Sequence, residues 1–212
     1  MYTGETCFFF VRGIAGHASD FMEWQWRAAD WCNQNTPHKA RTISYSTEFW
    51  SVWIRRKWRA RRLARVLRGY SSRDWRLVLV GHSEGTVLIL DALRAAGWPR
   101  VEALHLVCGA CDADFERNGI NWALRSGAIG KVHVYIGGND QAMWWENLVL
   151  GRLLFGISDR SYPLGLHGPK NVSVQYKDKV VVHRESPWDE YGHSTCWDKA
   201  NFDKTMACFT LH

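Results

Sequence analysis

The chain has 212 residues, 46% of them hydrophobic and 23% charged. That length and balance suit one domain with a substantial core, and they exclude a disordered chain or a coiled coil. No run reaches the ~20 apolar residues of a membrane-spanning helix, and nothing repeats at a fixed period. The formal net charge of +6 is concentrated in one segment: between Arg55 and Arg68 stand eight basic residues and no acid, and without them 19 basic residues face 21 acidic ones. A strand-like run begins by Cys7, with no basic stretch, apolar core and small-residue cleavage site before it, so the expected location is cytoplasmic, with peripheral membrane contact left open. The six cysteines form no regular framework and are expected to be thiols. Cys108 and Cys111 make a CxxC with no second pair at zinc-like spacing, so no metal is expected.

In chain order the pattern alternates strand and helix. Cys7 to Arg12 is an apolar run ending in a glycine turn, as in a buried parallel strand. Asp20 to Asn33 follows with helical spacing, Phe21, Trp24, Ala28 and Trp31 sharing a face and Asp20 as N-cap. Ala40 to Ser46 alternates as a second strand. From Phe49 onward Trp50, Trp53, Ile54, Ala60, Leu63, Ala64 and Leu67 recur at three- and four-residue steps, an amphipathic helix whose outer face is almost entirely Arg and Lys. Arg76 to Val80 is a third strand, and Ser83 to Ala96 a helix stopped by Gly97 and Pro99. Val101 to Val107 and Lys131 to Ile136 are further strands, Val172 to Tyr176 a candidate for one more, and Asp198 to Phe209 a final helix. Such alternation predicts an α/β class domain with a mostly parallel sheet and helices on both faces. The stretch 141–170 breaks the rhythm and reads as an insertion.

Val80-Gly81-His82-Ser83-Glu84-Gly85 is a G-x-S-x-G run directly after an apolar strand and directly before a helix, the context that motif requires. A sharp strand-to-helix turn lifts the serine hydroxyl clear of the sheet, and the Glu84 amide at the helix N-terminus faces the charge that would develop there. The plain alternative is an ordinary glycine-rich turn.

On these residues the sequence resembles the α/β-hydrolase superfamily, in its lipase and esterase branch, over nearly the whole chain. The resemblance implies one α/β-hydrolase domain over 1–212 with a reduced N-terminus. It implies a second oxyanion amide from Val11-Arg12-Gly13-Ile14-Ala15-Gly16-His17, carried over to Ile14, although Arg12 stands where the family often has histidine. The family's acid follows a late strand, where Gly137-Gly138-Asn139-Asp140 puts Asp140; Asp112 and Asp114, after the preceding strand, are its rivals. The base belongs on a loop before the last helix, at His193 in Tyr191-Gly192-His193-Ser194. Ser83, Asp140 and His193 then run in the order this fold uses. The implied activity is hydrolysis of a carboxylic ester through an acyl-enzyme, with no metal or organic cofactor. Thioester hydrolysis, acyl transfer and a non-catalytic ligand-binding or polyanion-binding role are the alternatives.

The insertion reads either as a lid over 141–170, with Met143, Trp144, Trp145 and Leu148 gripping an acyl chain and His17 at the rim, or as one extra helix against the core. The expected substrate is a small or lipid-like acyl ester. The basic helix 55–68 is either a solvated face or a contact for an anionic surface, and no specific nucleic-acid partner is expected.

Overall fold

The computed structural model describes residues 5–13, 23–43, 49–140 and 163–210, with the backbone alone for 49–54 and 210. Six strands form one sheet: β1 (Thr6–Val11), β2 (Lys39–Thr42), β3 (Arg76–His82), β4 (Val101–Val107), β5 (Ile129–Tyr135) and β6 (Val180–His183). Their order is β2-β1-β3-β4-β5-β6, and every adjoining pair is parallel. The chain goes from β1 to β2 on one side, then returns to β3 on the other. The reversal leaves a crevice between the carboxyl ends of β1 and β3, where open α/β sheets bind ligands.

Parallel strands need long crossovers, and the helices that supply them cover both faces. The period-two alternation of side chains divides the core. Cys7, Phe9, Val11, Leu77 and Leu79 join the face covered by α2 (Phe49–Ser71), α3 (Glu84–Ala96) and α4 (Ile120–Arg125). Phe8, Phe10, Val78 and Val80 join the face covered by α1 (Trp24–Asn35) and the last helix, α6 (Phe202–Thr210). Near-continuous apolar runs in β1 and β3 are what a strand buried on both faces requires.

Four expectations are corrected in detail. The strand expected over Val172–Tyr176 is displaced: Val174–Lys179 forms a 3-10 turn and β6 is Val180–His183. The last helix begins at Phe202, after a separate 3-10 turn at Thr195–Trp197, and the Asp198 carbonyl accepts from Asn201 N and Phe202 N at 3.0 and 2.9 Å. The outer face of α2 is not wholly solvated: Arg59 is buried, and half-buried Arg56 pairs with Asp91 at 3.0 Å. Helix α1 begins at Trp24 with Glu23 at its N-cap, while the expected cap Asp20 and the face residue Phe21 lie outside the described residues.

Of the insertion, residues 141–162 lie outside the described residues. Its end is docked: the short helix α5 (Leu164–His167) donates two hydrogen bonds to the loop after β4, from Leu164 N to Cys111 O and from Gly165 N to Gly109 O, both at 2.8 Å. Leu164 is fully buried in the core. No helix among the described residues is long and apolar enough to cross a membrane.

Candidate active site

The segments leaving the carboxyl ends of β1, β3, β4, β5 and β6 carry Gly13, Ser83, Cys108, Asp140 and His193. The parallel sheet thus gathers at one edge residues that span 180 positions of sequence.

Ser83 sits between β3 and α3 with φ 53° and ψ −129°. A non-glycine residue held there stores of order 1–3 kcal/mol of strain, so its surroundings must over-determine it. Ser83 N donates to Val107 O at 3.0 Å. The Ser83 carbonyl accepts three bonds, from Thr86 N at 3.0 Å, Ala110 N at 3.2 Å and Thr86 Oγ1 at 2.7 Å. The turn also needs two glycines for close approach. A Cβ on Gly85 would collide with the carbonyl oxygen of Val11 and lie 2.8 Å from that of Arg12. One on Gly13 would lie 2.8 Å from Ser83 Cβ and 2.9 Å from Glu84 N. The exit of β1 therefore lies directly against the serine and the first amide of α3.

Asp140 and His193 meet across the next two loops. His193 Nδ1 donates to Asp140 Oδ2 at 2.9 Å, with the Asp140 side chain fully buried and that of His193 17% exposed. The backbone holds the two loops together, Gly138 N donating to Trp188 O at 3.0 Å and Asn139 N to Tyr191 O at 3.1 Å. The glycines before Asp140 permit this approach, since a Cβ on Gly138 would collide with the Asp189 carbonyl oxygen. Among the described residues no hydrogen bond joins Ser83 Oγ to His193; the two are linked through His82, whose Nε2 lies 2.6 Å from His193 O. Bonds from a nucleophile to its base often close only around substrate. The rival acids are engaged elsewhere. Asp112 accepts from Asp114 N at 2.9 Å and pairs with Arg117 at 3.5 Å, while Asp114 accepts from Glu116 N, Arg117 N and Asn171.

Two buried groups beneath the site were not singled out for it in the sequence. His82 is fully buried; its ring lies 4.7 Å from that of His193 and edge-on to Trp24 and Trp197, which stack on each other at 3.8 Å. Burial, and then the neighbouring His193, holds its pKa well below the ordinary 6.5, so the ring is neutral. Cys108 is fully buried at φ 43°. Burial, the charge of Asp140 and a hydrogen bond donated to Asp140 push its thiol well above 9.0 and keep it protonated. The signals were a histidine inside the G-x-S-x-G and a cysteine immediately after a strand, but neither spacing reveals what the sheet sets opposite.

His82, Cys108 and His193 bring ligand atoms within 4.8 Å of one another. Each is already engaged, His82 with His193 O, His193 with Asp140, and Cys108 with Asp140. None of the six cysteines is in a disulfide. Ile14, His17, Met143, Trp144, Trp145 and Leu148, expected at the oxyanion site and the acyl pocket, lie outside the described residues.

No protein-family model and no curated protein matches the sequence. Two solved structures are similar in shape over nearly the whole chain, and a third over half of it. A mature lipase from Bacillus licheniformis has TM-score 0.50 at 16% identity, covering 98% of this chain and 93% of its own. An uncharacterized protein from Bacillus cereus has TM-score 0.52 at 16% identity, covering 100% and 61%. A Legionella pneumophila phospholipase has TM-score 0.38 at 14% identity, over 51% of this chain and only 25% of its own length.

Proposed function

On the α/β-hydrolase fold that this chain has, we propose that it hydrolyses a carboxylic ester through an acyl-enzyme on Ser83. The observation that carries the reading is the 2.9 Å bond from His193 Nδ1 to buried Asp140, on the two loops beside the strained Ser83 turn.

Asp140 accepts the Nδ1 proton and so fixes the tautomer that leaves His193 Nε2 basic. Nε2 takes the proton of Ser83 as Oγ attacks the ester carbonyl, and Asp140 stabilises the imidazolium that forms. The Glu84 amide at the start of α3 stabilises the tetrahedral oxyanion, with Ile14 as the proposed second donor. His193 returns its proton to the leaving alcohol, and an acyl-serine remains. Water, deprotonated by the same imidazole, then releases the acid and regenerates Ser83. No step calls on a metal or organic cofactor.

The proposed substrate is a small or lipid-like acyl ester. The similar Bacillus licheniformis protein is a lipase, which agrees with that class. Thioesters follow the same steps, and an alcohol in place of water gives acyl transfer. The test is turnover of p-nitrophenyl butyrate by Asp140→Asn and Asp112→Asn. The first is expected to lose about 10³–10⁴-fold in kcat while remaining folded, as loss of the tautomer-fixing acid does in serine hydrolases. The second is expected to stay near wild type. The opposite pattern would transfer the acid role to Asp112.

A further inference from the structure

The outward face of α2 takes no part in the chemistry above, and its composition is unlike the rest of the molecule. Outside residues 55–68 the chain carries an excess of acid. Arg55, Trp58, Arg62 and Arg65 follow one another at three- and four-residue steps as an exposed stripe, widened by Lys57 and Arg61. The opposite face, Ala60, Leu63, Ala64 and Leu67, is buried against the sheet and α3, which fixes the stripe toward solvent. Among the described residues none of these five cations forms an ion pair, whereas Arg56, one position away, is tied to Asp91. Within the stripe Trp58 is 55% exposed, with the Arg62 guanidinium 5.9 Å from its ring.

We infer that this face of α2 docks the protein onto an anionic lipid surface. An exposed cationic row gains from a negatively charged plane and loses that gain as salt screens it. Charge alone would serve a nucleic acid equally well; Trp58 decides for lipid. A large amphipathic ring exposed in the middle of such a row, rather than at the floor of a groove, is placed to enter a headgroup layer beside the cations. Connectivity sets the orientation. Helix α2 is entered from the carboxyl end of β2 and left toward the start of β3, so its first turns lie at the edge of the sheet that carries Ser83. That a docked surface would also present the substrate rests on the proposed hydrolase reading; the binding does not.

The test uses the full chain carrying Ser83→Ala, which keeps lipid binding separate from turnover. Co-sedimentation is measured with phosphatidylcholine vesicles, with and without 30% phosphatidylglycerol, in low salt and in 0.5 M salt. Binding is expected to rise at least tenfold with phosphatidylglycerol and to collapse at high salt. Arg61→Gln/Arg62→Gln/Arg65→Gln is expected to lose at least tenfold of it, with unchanged melting and, in the Ser83 background, unchanged hydrolysis of a soluble ester. Trp58→Ala is expected to weaken vesicle binding severalfold. Binding that ignores phosphatidylglycerol or survives the triple substitution overturns the proposal. So does duplex DNA displacing the vesicles with Trp58→Ala as wild type on both, which would make the face a nucleic-acid contact.

Discussion

Gly13→Ala concentrates the account of the site into one methyl group. Gly13 has a backbone conformation that an L residue can adopt, so what the methyl group meets decides the outcome. It would lie 2.8 Å from Ser83 Cβ, 2.9 Å from Glu84 N and 3.0 Å from His82 O. An ordinary contact is no closer than about 3.4 Å, so Ser83, the proposed oxyanion amide or the β1 loop must yield by roughly half an ångström. Overpacking of this kind costs about 1–3 kcal/mol of stability, a fall in Tm of a few degrees to roughly 10 °C. Activity should suffer more, because a displacement approaching 1 Å of a reacting group can cost about 10²-fold in rate. We expect kcat/KM for p-nitrophenyl butyrate to fall about ten- to a hundredfold at 20 °C, where the variant remains folded by circular dichroism. Gly69→Ala is the matched control. It makes the same chemical change on α2, where nothing lies within 4 Å of the new methyl group, and should stabilise by about 0.5–1 kcal/mol with unchanged activity. If Gly13→Ala keeps kcat/KM within about threefold of wild type, the proposed role of this turn in holding the nucleophile is wrong.

Further outcomes follow from the groups beneath the site. His82 stays neutral in the folded protein below the pH at which it protonates in the unfolded chain, so the unfolded state binds the extra proton and stability falls as pH drops below about 6.5. Denaturant titrations at pH 7, 6 and 5 should show this loss, at most about 1.4 kcal/mol per pH unit from this residue; in His82→Asn the slope should be shallower, and an equal slope would remove His82 from the explanation. Cys108→Ala removes the thiol donor from Asp140 and should lower kcat severalfold with KM unchanged, while Cys108→Ser restores it; a loss confined to KM would refute a positioning role. Because five of the six cysteines are buried, Ellman's reagent should titrate about one thiol in the native protein, Cys208, and six after denaturation, and rapid labelling of more would contradict the packing.

Much of the fold was legible because parallel strands buried on both faces advertise themselves. Cys7 to Arg12 and Arg76 to Val80 are runs that a half-exposed strand would interrupt with polar residues. The helix over Phe49–Ser71 was equally plain from its three- and four-residue apolar steps. The sixth strand was misplaced because Val172, Val174 and Tyr176 alternate as a half-buried strand does, whereas Val180, Val181 and Val182 continue the sheet beside β5. In α2 the sequence gives no sign that Arg59 is buried or that Arg56 reaches Asp91, since periodicity measures the average face and not each side chain. The approach of Asp140 and His193 was legible only through chain order and the fold it resembles. The close approach of Gly138 to Asp189, the Cys108 thiol on Asp140, and the Trp24–Trp197 stack around His82 depend on which loops the sheet sets side by side. That is tertiary information with no local spacing to announce it.

The most direct test of the central claim is intact-protein mass after exposure to a fluorophosphonate, for wild type and Ser83→Ala. A hydroxyl activated by His193 is phosphonylated far faster than an ordinary serine. One adduct is expected on the wild-type chain, carried by Ser83, and none on the variant. Folded wild-type protein that takes up no adduct, with detergent present to open any cover over the serine, would contradict it.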